Sequence, residues 1–204
     1  GVIEMVPNSV TLYKLRGTTG IQNFIMRNNH KKTIHDIKMR FATNCAIYCV
    51  ISYVLGIGDR HMDNIMINNN GTIFNIDFEH IMDTNLKYTS PIRLTEGMID
   101  MLDSNSEYFK QFTEMCRDFY NTIRRRSQTF ATMLHLLHIT PNSHSQFSEE
   151  FVNQYITNKL IPNESYTKAG IHIVSIVQHK SNSDNAHTIR DLAHNFVKWI
   201  WKPS

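Results

Sequence analysis

The stretch SYVLGIGDRHMDNIMINNNGTIFNIDFEH, residues 52–80, decides how the rest of the chain is to be understood. It reads as a helix end, a loop dense in ionisable side chains, and a hairpin that delivers one more carboxylate. Apolar residues stand at Ile65 and Ile67, and again at Ile73, Phe74 and Ile76, around Asn68-Asn69-Asn70-Gly71. Asn-Gly between two short apolar runs is a strong hairpin signal. Folding back there sets the loop 58–64 beside Asp77 and gathers Asp59, His61, Asp63, Asn64 and Asp77 in one small volume.

The spacing of these oxygens points to a chemistry. Asp59 and Asn64 have the Asp-x-x-x-x-Asn separation of the protein-kinase catalytic loop, which works with an Asp-Phe-Gly to hold magnesium on ATP phosphates. Asp77-Phe78 follows across the hairpin. Magnesium is a hard cation that takes one or two protein oxygens and completes its shell with phosphates and water. The Asn64 amide oxygen and the Asp77 carboxylate meet that need. The order Asp59-Arg60-His61 is the reverse of the protein-kinase His-Arg-Asp.

That reversal, within GIGDRHMDNIMI (56–67) and NIDFEHIMD (75–83), resembles the phosphatidylinositol 3-/4-kinase superfamily, which includes related large protein kinases. The likeness covers nearly the whole chain. GVIEMV (1–6) resembles the hinge that holds adenine, and FATNCAIYCVISYVLG (41–56) the helix that enters the catalytic loop. SPIRLTEGMIDML (90–102) resembles the end of the activation loop. EYFKQFTEMCRDFYNTIRRRSQTFATMLHLL (107–137) and NFVKWIWK (195–202) resemble the helical C-terminal lobe.

The resemblance implies an α+β, mostly helical fold: the C-terminal lobe of a protein-kinase-like domain, residues 1–204, with a small β-hairpin at the catalytic loop. Its parts would be a hinge strand 1–6, a catalytic loop 57–65, an activation loop 76–95 and a C-terminal amphipathic helix 188–202. It implies ATP with Mg2+, and transfer of the γ-phosphate to an inositol hydroxyl of phosphatidylinositol. Adenine would meet the Glu4 carbonyl and the Val6 amide, above an apolar floor of Met66 and Ile76. Asn64 and Asp77 would hold magnesium. A hydroxyl is a poor nucleophile at neutral pH, and an imidazole titrates in the right range to take its proton. His61 is therefore the candidate base, with Asp59 its rival, while Arg60 braces the loop. Lys87, with Arg93 beyond it, would meet the headgroup, and so few cations suit plain phosphatidylinositol. Glu79 stands where the family has the glycine of Asp-Phe-Gly. The same motifs are compatible with a protein serine/threonine kinase of the superfamily, or with an inactive lobe that binds membrane or a partner.

Composition narrows the field. A formal net charge of +3 over 204 residues gives no basic stripe for nucleic acid. Cys45, Cys49 and Cys116 form no metal pattern and, being odd in number, no secreted disulfide framework. A reducing, cytoplasmic setting is expected, at membrane surfaces through peripheral contact. The opening inside a hinge reads as the C-terminal piece of a longer protein, joined to an N-terminal lobe and to helical or regulatory domains.

Periodicity assigns the remainder. Residues 1–6 read as a short strand ended by Pro7, 11–15 as a helix start, and 16–32 as a polar loop. Thr33 caps a helix Ile34–Leu55 whose stripe is Ile34, Ile37, Phe41, Cys45, Tyr48, Cys49, Ser52 and Leu55, stopped by Gly56. Further helices are expected at 96–102, 107–126, 128–138, 147–160 and 166–179. Arg124-Arg125-Arg126 reads as a helix end complementing the dipole rather than as a phosphate clamp. His135 and His138 lack partners at ligand spacing. Trp199 and Trp201 on the last helix suit a membrane interface or packing against the lobe.

Overall fold

The computed structural model describes residues 2–83, 92–139 and 148–179. Residues 84–91 of the expected activation loop, with Lys87, and the C-terminal helix expected at 188–202 lie outside them. Within them the protein is mostly helical with one small sheet, as the α+β expectation requires.

The centre is α2 (Ile34–Leu55). Thr33 caps it: its hydroxyl accepts from the Asp36 amide at 3.1 Å, and the Asp36 carboxylate accepts from the Thr33 amide and hydroxyl. These Thr33 hydrogen bonds hold the Asp36 carboxyl below its ordinary pKa. Gly56 ends the helix in the left-handed region, φ 56°. α2 is buried around more than a stripe. Ala42, Ala46, Val50, Tyr53 and Val54 join the expected residues in the core, whereas Ile34 is 40% exposed in the first turn. The cause is position: α4 (Glu107–Arg124), α3 (Glu96–Leu102), α6 (Glu149–Leu160) and the sheet all pack against it. α7 (Tyr166–His179) packs on α4, its His172 reaching Tyr53 of α2, and α5 (Ser127–Ile139) packs on α6.

The sheet has three strands in the order β1 (Ser9–Thr11), β2 (Ile65–Asn68), β3 (Ile73–Asn75), all antiparallel. The expected hairpin forms, with Ile67 opposite Ile73 and Gly71 at φ 83°. The Asn68 side chain accepts from the Asn70 and Thr72 amides and shapes the loop. The third strand corrects the expectation for residues 1–6. Residues 2–6 have no regular structure and Val2, Ile3 and Met5 are largely exposed, because no described strand lies beside them to take their hydrogen bonds. The strand forms after Pro7 instead, where Val10 pairs with Ile67.

A second correction concerns 16–32. Instead of a loop alone, it contains α1 (Gly20–Arg27), which buries Ile21 and Ile25, one turn apart. Ile21 packs against Gly97 of α3 and Ile25 against Gly71 of the hairpin, with Phe24 half-buried beside them. Residues 11–15 give a single 3-10 turn, Leu12–Leu15, with Leu12 in the core.

Candidate active site

Helix α2 ends at Gly56, and the chain passes straight into the acidic loop. Arg60 organises that loop and the hairpin beyond it. It is 1% exposed, and its guanidinium donates to the carbonyls of Gly58 (2.6 Å), Asn64 (3.1 Å), Ile76 (2.9 Å) and Asp77 (2.7 Å) and to Asn75 Oδ1 (3.3 Å). One buried fork thus holds both arms of the hairpin at its open end. Burial works against its charged form and pulls its pKa down; Tyr48, Asp77 and Asp59 push the other way. Asn75 passes the constraint to the helix by donating to Ser52 Oγ at 2.9 Å.

The site residues hang on this brace. Asn64 is buried, its side-chain nitrogen donating to the Asp59 carbonyl at 3.0 Å, and the Ile76 amide donates to the Asn64 carbonyl at 3.0 Å. Asp77 is exposed, and one of its carboxylate oxygens accepts from the Glu79 amide at 3.2 Å. Asp59 and Asp77 both have left-handed backbones, φ 50° and 63°. Such conformations cost energy in non-glycine residues and collect at functional sites. Glu79 is not among the positive-φ residues, so this backbone does not require glycine there. His61 Nε2 lies 3.8 Å from Asp59 Oδ2, and His61 Nδ1 accepts from the Asp63 amide at 3.2 Å. Asp63 itself accepts from Thr11 Oγ1, which ties β1 to the loop.

The adenine candidates are placed less uniformly. Met66 and Phe74 are cross-strand partners on the sheet face opposite Ile65 and Ile67, and Ile76 extends the same line. Met66 and Ile76 are half-buried. Glu4 and Val6 are exposed, and the Val6 carbonyl accepts from Ser9 Oγ at 2.7 Å. Arg93 turns inward: it donates to the Arg60 carbonyl at 3.2 Å, and its own carbonyl accepts from Tyr48 Oη. It thereby ties residue 93 to the acidic loop and to α2.

Other singled-out residues are structural. Arg124 is buried and donates to the carbonyls of Leu160, Ile161 and Glu164 and to Asn121 Oδ1, closing the end of α6. His135 meets Asn153. The three cysteines are free and buried. Among the described residues no helix is long and apolar enough to cross a membrane.

A family model for phosphatidylinositol 3- and 4-kinases matches residues 17–142, which span the brace, the acidic loop and the hairpin. The chain belongs to the phosphatidylinositol 3- and 4-kinase family. Among curated proteins, it is 28% identical over 197 residues to the phosphatidylinositol 3-kinase C2 domain-containing subunit gamma of Homo sapiens, covering 87% of this chain and 13% of that protein. It is 32% identical over 155 residues to phosphatidylinositol 3-kinase 3 of Dictyostelium discoideum, covering 67% of this chain and 9% of the relative. Over 99 residues it is 35% identical to phosphatidylinositol 3-kinase VPS34 of Arabidopsis thaliana, covering 48% and 12%. The chain thus spans a small fraction of the length of these kinases.

A kinase of this family implies a magnesium–nucleotide complex, and the residues present fit one. The candidate donors, the Asn64 amide oxygen and the Asp77 carboxylate, would both be hard oxygens, on residues whose backbone carbonyls accept from one guanidinium. Among the described residues no group of three or more His, Cys, Asp or Glu side chains could hold a metal alone. Two protein oxygens suit an ion that arrives on phosphates and keeps several waters.

Proposed function

We propose that this chain is the phosphate-transfer lobe of an ATP-dependent phosphatidylinositol kinase, acting together with an N-terminal lobe. The supporting observation is the Arg60 fork, which holds the backbones of Asn64 and Asp77 at the open end of one hairpin. Asn64 and Asp77 would hold magnesium in this proposal, which would supply positive charge opposite the transferring phosphoryl group. Met66 and Ile76 floor the adenine pocket, the backbone at Glu4 and Val6 meets the base, and Lys87 meets a headgroup with few phosphates. In the same proposal residues 57–65 are the catalytic loop and 76–95 the activation loop.

The proton of the attacking hydroxyl goes to the Asp59–His61 pair, with His61 as the base. With Nδ1 accepting from Asp63, the neutral ring carries its hydrogen on Nε2, facing Asp59. To accept the substrate proton at Nε2, the ring must hold its own hydrogen on Nδ1 and give up the Asp63 amide. Catalytic hydrogen bonds commonly reach their working form only in the substrate complex.

The test is the full-length protein with labelled ATP and either phosphatidylinositol vesicles or peptide. Labelled lipid is expected, and His61→Ala should slow its formation about 100- to 10,000-fold. Label in peptide alone would replace lipid with protein as substrate. An unchanged rate in His61→Ala with a collapse in Asp59→Ala would transfer the base to Asp59.

A further inference from the structure

Downstream of Asp77, residues 80–83 run back along the end of α2. The Gly58 amide donates to the His80 carbonyl at 2.8 Å, the Met82 amide to Leu55 at 2.8 Å, and the Asp83 amide to Gly56 at 3.1 Å. The end of α2, the start of the acidic loop and the exit from the Asp77 turn are thereby stitched together. At the end of the seam, Asp83 Oδ2 meets Lys159 Nζ from α6 at 2.7 Å, with side chains 20% and 10% exposed.

Three costs coincide here. Met82 and Asp83 are successive non-glycine residues in the left-handed region, φ 55° and 58°. The ion pair is largely withdrawn from water, where desolvation offsets much of the attraction. Asp83 Oδ1 is buried and accepts no hydrogen bond. The surroundings are nevertheless closely fitted. The Lys159 ammonium lies over the Tyr53 ring, 4.4 Å from its centroid, and its backbone carbonyl accepts from Tyr120 Oη at 2.6 Å. Tyr155 Oη donates to the Val54 carbonyl at 2.8 Å, fixing α6 to the last turn of α2. A well-packed apolar contact would hold α6 to α2 without any of these penalties. It would not grip the chain at one point and in one direction.

We propose that Lys159 and Asp83 are a positioning pair for phosphate transfer: by clasping residue 83 to α6 they fix the seam 80–83, and through it the placement of both Asp59 and Asp77. The role rests on the proposed kinase activity. Neither side chain touches substrate; each acts through the backbone that carries the acidic residues.

The experiment uses the full-length protein and the variant Lys159→Met/Asp83→Asn. It removes both charges at once, so no buried ion is stranded, and asparagine tolerates the left-handed backbone. Two quantities are read: kcat and KM for ATP with phosphatidylinositol vesicles, and hydrogen exchange at the Gly58, Met82 and Asp83 amides. The expected result is exchange at least about tenfold faster at these amides, unchanged exchange in α4 and α7, and kcat down about 10- to 100-fold, as for misplaced catalytic groups, with little change in KM. Wild-type kcat in the double variant, or unchanged exchange along the seam, overturns the clasp. Should the double variant fail to fold, Asp83→Asn alone decides by the same two readings. If the wild-type protein labels no lipid, the kinase reading fails, while exchange along the seam still reports on the clasp.

Discussion

Replacing Arg60 by Met keeps the aliphatic stem and removes the fork. Of the five acceptors, the Asn64 carbonyl keeps the Ile76 amide, and the Asp77 carbonyl lies on an exposed residue where water replaces the lost donor. Three are stranded: the carbonyl of buried Gly58, and the Ile76 carbonyl and Asn75 Oδ1 on half-buried residues. A buried acceptor left unpaired costs about 1–3 kcal/mol, the half-buried two at the low end. Relief of the guanidinium's own desolvation offsets part of this, leaving about 3 kcal/mol. That loss falls on the local opening of the hairpin base, and corresponds to about a hundredfold in the opening equilibrium. Hydrogen exchange at the Ile76 and Asn64 amides in the full-length protein measures it directly. Arg60→Lys should recover less than half, since one ammonium cannot span acceptors on both arms. Exchange in Arg60→Met within threefold of wild type would refute the assignment of Arg60 as the brace.

Gly56→Ala should cost about 2–4 kcal/mol, combining a left-handed backbone with a Cβ 2.6 Å from both the Asp83 amide and Tyr155 Oη. Gly71→Ala, at φ 83° but with only Ile25 Cδ1 at 3.2 Å, should cost distinctly less; equal shifts in melting temperature would contradict the close approach at Gly56. The pKa of His172 is lowered, first by burial and then by Arg124 and Lys159. Its unfolded form therefore binds more protons between the folded pKa and the ordinary value near 6.5. Stability is retained above that value and falls as pH drops through the window, and a His172→Gln variant should flatten the slope between pH 7.5 and 5.5. Burial pushes the Cys49 and Cys116 thiols well up, so a thiol alkylator at pH 8 should leave both unmodified until the protein unfolds.

Much of the architecture was legible because it is written over short distances. Helix α2 announces both of its ends, Thr33 with Asp36 and then Gly56, and α7 shows its apolar period from end to end. The hairpin depends on one turn and two short alternating runs, and the order of Asp59, His61 and Asn64 carries the family resemblance. Arg60 was expected to brace the loop, and its five acceptors fit that expectation.

Tertiary structure decided the rest. Ile21, Phe24 and Ile25 have helical spacing, but over barely two turns of a polar segment, and α1 is held by burial of Ile21 against Gly97 of α3 and of Ile25 against Gly71 of the hairpin. The strand expected at 1–6 looked as apolar as a real one, yet strands exist by pairing, and the partner β2 meets Ser9–Thr11 instead. Arg93 read as a cation near the headgroup and Lys159 carried no signal at all, yet folding brings them to the Arg60 carbonyl and to Asp83. Period, cap and turn depend on neighbours a few residues away, and so sequence alone determined the longer helices, the hairpin and the family resemblance of the acidic loop. The partner of a buried charge stands tens of residues off, and only the packed chain could choose it.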